Sequence, residues 1–491
     1  MKGHYTNSIC GVGLPSTQSN KKPNEYIDIT IGVFFDGTGN NKYNIEYNKG
    51  TKYADRKGVY NEKKQKKEEG YDSYNQEFTN VVHLWNIYNA YNPYMIKLYV
   101  EGPGTAPPKE NKQAKSSDKW ISSGKKDDNE GLAFGTGHYG VDNRVTRTYI
   151  YIVEEIKTIL SKKRNPNVRS ITFDVFGFSR GATASRIFVQ QTLDPNSLSY
   201  LNVYLQRVLD LNISKKVSIR FMGLFDTVSS VGIDVAYDPS KQINLIIPNN
   251  VKTVIHLVAA NEYRRYFPLT TVSSAHHLGK SCMEYVLPGA HSDIGGGYAK
   301  EEHEPLYMGF MPSGFELTYR PVFRGYMTFK QLYNGKWISD ELYNYASDQY
   351  WRRNHFKEYN RKYPPYRRVC NEYARISLQI MYQVAKEKSV PLETAIISKK
   401  YLLIPDKYQN LIKVAKYLKE EFFARRDIYT IRLGNTKDKN GKIIPMGFHF
   451  ERDKDVDKLL KSIRKEFLHL SAYNQTGFGA TSNNRRGIIE G

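Results

Sequence analysis

Five residues in the middle of the chain, Gly177-Phe178-Ser179-Arg180-Gly181, place a hydroxyl between two glycines. They follow the β-branched and aromatic run "ITFDVFGF" and precede "RGATASRIFVQQTL", which reads as helix. G-x-S-x-G alone is a weak pattern, also met in a tight turn with an incidental serine. At the exit of a strand and the entry of a helix it predicts a nucleophile elbow, a sharp turn that exposes the serine hydroxyl at the end of a sheet. Larger residues at Gly177 and Gly181 would collide with the adjoining strand and helix. The N-terminus of the helix that follows would aim N–H groups and a positive dipole end at developing negative charge.

A serine hydroxyl is a poor nucleophile at neutral pH and needs a base, which in turn needs an orienting acid. In this architecture the acid and then the histidine follow the serine in the chain. His291, in the glycine-rich "LPGAHSDIGGGY", stands directly after a strand signal. His256 lies inside the apolar run "VIHLVAA" and reads as packed, while His276 and His277 have no strand leading in. Asp226, at the end of the strand "VSIRFMGLFDT", leads for the acid. Asp174 comes too early in the order, and Asp293 stays open as an alternative or as a brace for the loop backbone. For the oxyanion, one donor is the N–H of Arg180 and the second an N–H of Gly37 or Thr38, with Asp36 bracing that loop. The "FFDGTGNN" loop lacks the lysine and serine of a phosphate-binding P-loop.

Strand signals at 26–35, 95–102, 171–178, 217–227 and 281–291 alternate with helical patterns at 80–91, 142–164 and after 180. In the second helix Val145, Tyr149, Ile152, Ile156 and Ile159 recur at helical spacing. This alternation predicts an α/β fold, a mainly parallel sheet with helices on both faces. A polar tail (1–25) precedes a catalytic domain (26–300) with insertion loops at about 42–79 and 103–130. A largely helical region (301–491), with helical segments at 328–350, 366–388, 407–425 and 453–472, is expected to dock on membranes or to act as a lid.

Five stretches occur together over about residues 28–300: "FFDGTGNN" (34–41), "EGPGT" (101–105), "GFSRGA" (177–182), "LFDTVSSVG" (224–232) and "PGAHSDIGGGY" (288–298). In these the chain resembles the type VI secretion lipase effectors, whose catalytic domain is an α/β hydrolase. The resemblance implies serine-dependent hydrolysis of phospholipid esters, with Ser179, Asp226 and His291 on the triad positions. It also implies synthesis in the cytoplasm, export without a cleaved signal peptide and action at the membrane or periplasm of competing bacteria. The implied partners are membrane phospholipids, a spike, tube or adaptor component of the secretion apparatus, and an immunity protein in the producer. Asn261, in "HLVAANEYRR", departs from the family's acidic residue, and the last 190 or so residues carry no matching motif.

The composition agrees with such a role. A net charge of +22, from 72 Lys+Arg against 50 Asp+Glu, favours anionic partners such as lipid headgroups, unless the charges are spread over solvated faces. The basic stretch "YWRRNHFKEYNRKYPPYRR" (350–368) is the expected contact. Nucleic acid is disfavoured, since no recognisable binding module is present and the triad would be left unexplained. Three scattered cysteines without metal-ligand spacing support neither a disulfide framework nor a zinc site, and no metal or cofactor is called for. The N-terminus has no apolar signal core, and no run approaches the roughly 18–20 apolar residues that span a bilayer. The competing reading is a soluble serine esterase or thioesterase acting on a small acyl substrate.

Overall fold

The computed structural model describes residues 25–48, 60–61, 66–67, 72–90, 92–112, 119–128, 131–132, 135–163, 166–230, 244–305, 329–344, 366–432, 435–437, 443–444, 447–471 and 486–490. The expected N-terminal tail, except Glu25, lies outside them, as do most of 49–71 and the basic stretch up to residue 365.

Six parallel strands form the central sheet: β1 (Glu25–Phe35), β2 (Met95–Val100), β3 (Pro166–Phe178), β4 (Val217–Phe225), β5 (Val254–Ala259) and β6 (Cys282–Leu287). Their order is β6-β5-β4-β3-β1-β2, so the elbow strand β3 sits inside the sheet. Alternation along the strands divides their side chains between two cores. From β1, Ile27, Ile29, Ile31, Val33 and Phe35 enter one, and Phe34 enters the other. The sheet is thus buried on both faces, as parallel sheets are.

Helices α1 (Asn80–Ile87), α2 (Val141–Ser161) and α3 (Arg180–Leu193) follow their strands. Val145, Tyr149, Ile152 and Ile156 of α2 pack with Ile187 and Phe188 of α3 over the first face. The second face is covered by α1 and by C-terminal helices: α5 (Ala374–Glu387), α6 (Gln409–Phe423) and α7 (Lys454–Phe467). The single-turn α4 (His291–Gly295) lies between these groups in the chain. Ile376, Leu378 and Met381 of α5 share a core with Phe34, Phe176 and Phe221 of the sheet. The helical region expected after residue 300 therefore supplies one layer of the sandwich. Element type changes near 300, but the core runs across it. Truncating a residue such as Leu378 to alanine should cost about 2–5 kcal/mol.

Several local expectations change. The apolar run containing His256 is the strand β5, too short and too uniformly buried to show a period. The 366–388 segment opens as a strand, Tyr366–Cys370, paired antiparallel with Glu301–Pro305, and turns helical only at Ala374. Within the expected 42–79 insertion, Lys42–Asn48 is a helix with four buried residues. In the 103–130 loop, buried Asp127 accepts bonds from the Ser73 backbone (2.9 Å) and hydroxyl (2.7 Å) and so packs the loop down. Arg367, taken from sequence as part of a surface basic stretch, is buried. It donates to Glu304 at 2.6 Å and to the Leu468 carbonyl at 2.6 Å, since alternate residues of a strand face opposite ways. Its neighbour Arg368 is exposed and pairs with Glu301.

Candidate active site

Ser179 stands between the last residue of β3 and the first of α3, with φ 57° and ψ −129°. That region costs a non-glycine residue roughly 1–3 kcal/mol and persists only where the surroundings impose it. Here the Ser179 N–H donates to the Phe225 carbonyl of β4 (3.0 Å), and the Ser179 carbonyl accepts from Ala182 (3.0 Å). A Cβ on Gly181 would lie 2.2 Å from the Asp36 carbonyl oxygen, and one on Gly177 would lie 2.7 Å from Cα of Ala182. Both glycines are thus required by close approach. A serine before a helix ordinarily caps it by accepting from the next turn. The Ser179 side chain makes no such bond, so its hydroxyl is not spent on capping α3.

The N–H of Arg180 is among the first α3 donors that the helix leaves unpaired. Its guanidinium is buried and donates to the carbonyls of Gly131 (3.3 Å) and Leu132 (2.7 Å). Burial pushes that guanidinium down to about 10. The loop after β1 touches the elbow at Gly181. Asp36 in this loop accepts from Gly37 N–H (2.8 Å), Thr79 Oγ1 (2.7 Å) and Tyr99 OH (2.7 Å). Burial raises this carboxyl to about 6, against those three bonds. The Gly37 N–H is therefore taken, which corrects its reading as an oxyanion donor. Thr38 is left, half-buried, with Oγ1 unpartnered among the described residues. The "EGPGT" loop supports this arrangement from behind. A Cβ on Gly102 would fall 1.7 Å from the Gly37 oxygen, and buried Glu101 pairs with Arg144 at 2.7 Å.

His291 opens α4, directly beyond β6. Its Nδ1 donates to Asp226 Oδ2 at 2.5 Å, which leaves Nε2 as the acceptor of the neutral ring. The ring packs against Phe178 (4.6 Å between centroids) and edge-on against Phe267 (5.1 Å). Phe178 immediately precedes Ser179 in the chain, so β3 brings both elbow and imidazole support to one place. Burial lowers the pKa of His291, with Asp226 opposing and Arg264 adding to the fall. Asp226, immediately after β4, also has a positive φ of 45°. Burial alone would raise its carboxyl, but Arg486 and His291 outweigh that and hold it well below the usual carboxylate range.

The other candidates are occupied elsewhere. His256 accepts from the Thr227 N–H (3.0 Å) and pairs with Glu284 (2.8 Å), and is fully buried. Asp174 is held by Arg220 and by Tyr88 (2.8 Å). His276 and His277 are exposed. Asp293 accepts from the Ala290 N–H (2.8 Å) and bonds His469 (2.7 Å), so it braces the His291 loop. Asn261 does the same, exchanging 2.8 Å bonds with Gly289, which gives the departure at that position a structural use.

Four residues at the site escaped the sequence reading: Glu262, which accepts from the His291 N–H (3.3 Å), its ion-pair partner Arg264, His469 and Arg486. None carries a local signal, and Arg486 lies 260 residues from Asp226 in the chain.

No curated protein matches the chain. A solved Tle1 effector, bound to the VgrG spike of the type VI secretion system, is 18% identical and covers 99% of both chains with a TM-score of 0.55, a likeness of fold. An uncharacterized protein from Pseudomonas aeruginosa is 18% identical over 80% of this chain and 51% of its own, with a TM-score of 0.37. The model of the type VI secretion phospholipase effector Tle1-like catalytic domain matches residues 202–314, a stretch that includes Asp226 and His291 and begins after Ser179. Over that stretch the chain is similar to the catalytic domain of the type VI secretion Tle1-like phospholipase effectors.

Proposed function

We propose that the chain is a serine-dependent phospholipase that cleaves carboxylic esters of membrane phospholipids, with Ser179, His291 and Asp226 as its triad. The observation that carries this is Ser179 itself: a strained residue at the end of β3 whose hydroxyl caps no helix, with a buried His–Asp pair beyond the ends of β4 and β6. His291 Nε2 takes the hydroxyl proton as Ser179 Oγ attacks the ester carbonyl carbon. Asp226 stabilises the resulting imidazolium and fixes its tautomer. The N–H groups of Arg180 and Thr38 face the oxyanion, each such donor being worth roughly 10²- to 10³-fold in rate. His291 then protonates the departing lysophospholipid oxygen. Water, deprotonated by His291, releases the fatty acid and restores Ser179.

The family setting supports an antibacterial role. In this reading the chain acts at the membrane or periplasm of a competitor while an immunity protein guards the producer. The solved Tle1 effector is bound to a VgrG spike, which supports a spike component as the carrier here.

Mass spectrometry of bacterial phospholipid vesicles incubated with the purified protein tests the activity. Lysophospholipid and free fatty acid are expected, and neither with Ser179→Ala. Full hydrolysis by that variant would sink the assignment. Cleavage of short-chain esters with intact vesicles left untouched would favour the soluble-esterase reading.

A further inference from the structure

The catalytic carboxylate has a second partner that no motif supplies. Arg486 Nη1 donates to Asp226 Oδ1 at 2.6 Å and Nη2 to Oδ2 at 2.8 Å, a bidentate fork with both side chains fully buried. Its Nε donates to the Phe267 carbonyl at 2.8 Å. The residues behind it form a strap: Ile488–Ile489 pairs in parallel with Leu269–Thr270, and the Gly487 carbonyl accepts from Leu269 at 2.8 Å. Thr270 in turn donates to the carbonyl of Thr227, the residue after Asp226, at 3.0 Å. One short segment, 267–271, therefore holds the C-terminal strap, the loop of the acid and the Phe267 ring against His291.

We propose that Arg486 is a positioning residue of the hydrolase, acting through Asp226 to orient His291 and to set its basicity, so that the C-terminal strap is a working part of the active site. The inference rests on the triad reading. A carboxylate shared between an imidazole and a guanidinium is fixed in plane by two parallel bonds, and Oδ1 is closed further by the Ala259 N–H at 2.9 Å. Asp226 then has one direction left for His291. The guanidinium also offsets part of the negative charge that favours imidazolium. Among the described residues, the charged groups around His291 are Asp226, Glu262, Arg264 and, through Asp226, Arg486. With two cations against two anions, the ring stays a free base to lower pH than it would beside an unpaired aspartate. An arrangement of this kind suits a base that must accept a proton near neutrality.

The test uses the full-length protein, a soluble short-chain ester over pH 5–9, and a fluorophosphonate that labels the active serine. Arg486→Met should lower kcat roughly 10- to 100-fold with little change in KM. Its acidic limb should move to higher pH by about one unit, because the unshielded Asp226 now favours imidazolium. Arg486→Lys keeps the charge without the fork, and should fold normally with a smaller loss and a smaller shift. Ethylguanidinium added to Arg486→Gly should restore rate, whereas ethylurea should not. Normal kcat and pH profile in Arg486→Met, with Ser179→Ala inactive, overturns the role of Arg486 and leaves the triad standing. Activity and labelling retained in Ser179→Ala overturn the triad reading instead. A loss of kcat with no displacement of the acidic limb and no guanidinium rescue marks a merely structural residue and also overturns the proposal. If Arg486→Met does not fold, Arg486→Lys decides: wild-type kcat and limb reject it, a reduced kcat with a raised limb supports it.

Discussion

The described residues contain two buried aspartate–histidine pairs, which come within two positions of each other in sequence at His291 and Asp293. Asp226 bonds His291 Nδ1 at 2.5 Å, and Asp293, two residues beyond His291, bonds His469 Nδ1 at 2.7 Å. All four residues are buried. What differs is the far side of each group. Asp226 is forked by Arg486, whereas Asp293 takes the N–H groups of Ala290 and His469 (3.0 Å). His291 packs beside the residue that precedes the elbow serine. His469 is stacked on Tyr298 at 3.7 Å, with Nε2 buried and unpartnered among the described residues. Their basicities diverge accordingly. Burial wins at His291 and lowers it; at His469 burial also lowers, but Asp293, Glu304 and Glu302 outweigh it and the pKa rises. One imidazole is thus made a weaker base than a free histidine, and the other a stronger one. An Asp–His bond is therefore no signature of catalysis by itself. The groups beyond it decide.

The sharpest break between the pairs is in rate. Ser179→Ala and His291→Ala should each reduce ester hydrolysis roughly 10⁴- to 10⁶-fold, and the double variant should be little worse, because these residues act as a unit. His469→Gln, measured in the same assay, should stay within a few-fold of the parent protein. A comparable collapse in His469→Gln would mean that the second pair takes part in the chemistry.

The carboxylates give the next largest contrast. Asp226→Asn should cost about 10⁴-fold in kcat, since the amide favours the wrong imidazole tautomer. Asp293→Asn should cost under about 10-fold, while lowering the melting temperature, because it leaves the Ala290 loop and His469 underbonded. Steady-state kinetics with melting curves separates them, and a larger kcat loss from Asp293→Asn would reverse the assignment of the acid.

The unequal visibility of these pairs in sequence has a physical origin. Ser179, Asp226 and His291 each end or follow a strand, and the glycines beside the serine are demanded by backbone contact, so local pattern suffices to find them. Arg486 and His469 reach their partners across 260 and 176 residues. No periodicity encodes such a meeting. Helices α5, α6 and α7 fall within segments that read as helical, but a helical segment does not name the surface that covers it, and theirs is the second face of the sheet. Gly37 shows the same limit at short range. A loop rich in donors was evident, yet which N–H Asp36 would take depends on how the carboxylate is turned, and that is fixed by Thr79 and Tyr99.

The smallest expected effect is on stability and its pH dependence. A histidine whose folded pKa lies above its unfolded value binds protons more tightly in the folded state. The stability it contributes is complete below its unfolded pKa of about 6.5 and is lost as pH rises through the folded value. His469→Gln should therefore destabilise most in mild acid, by about 1–3 kcal/mol for a lost charge-assisted bond, and progressively less at alkaline pH. His291 has the opposite sign. Its folded pKa is lowered, so keeping it neutral costs stability as pH falls below 6.5, and His291→Gln should relieve that cost in acid. Urea denaturation of both variants and the parent at pH 5.5 and 8.5 gives the two slopes directly. Slopes of the same sign would erase the electrostatic distinction between the pairs, and with it the argument that Asp226 and its guanidinium partner keep His291 ready to act as a base.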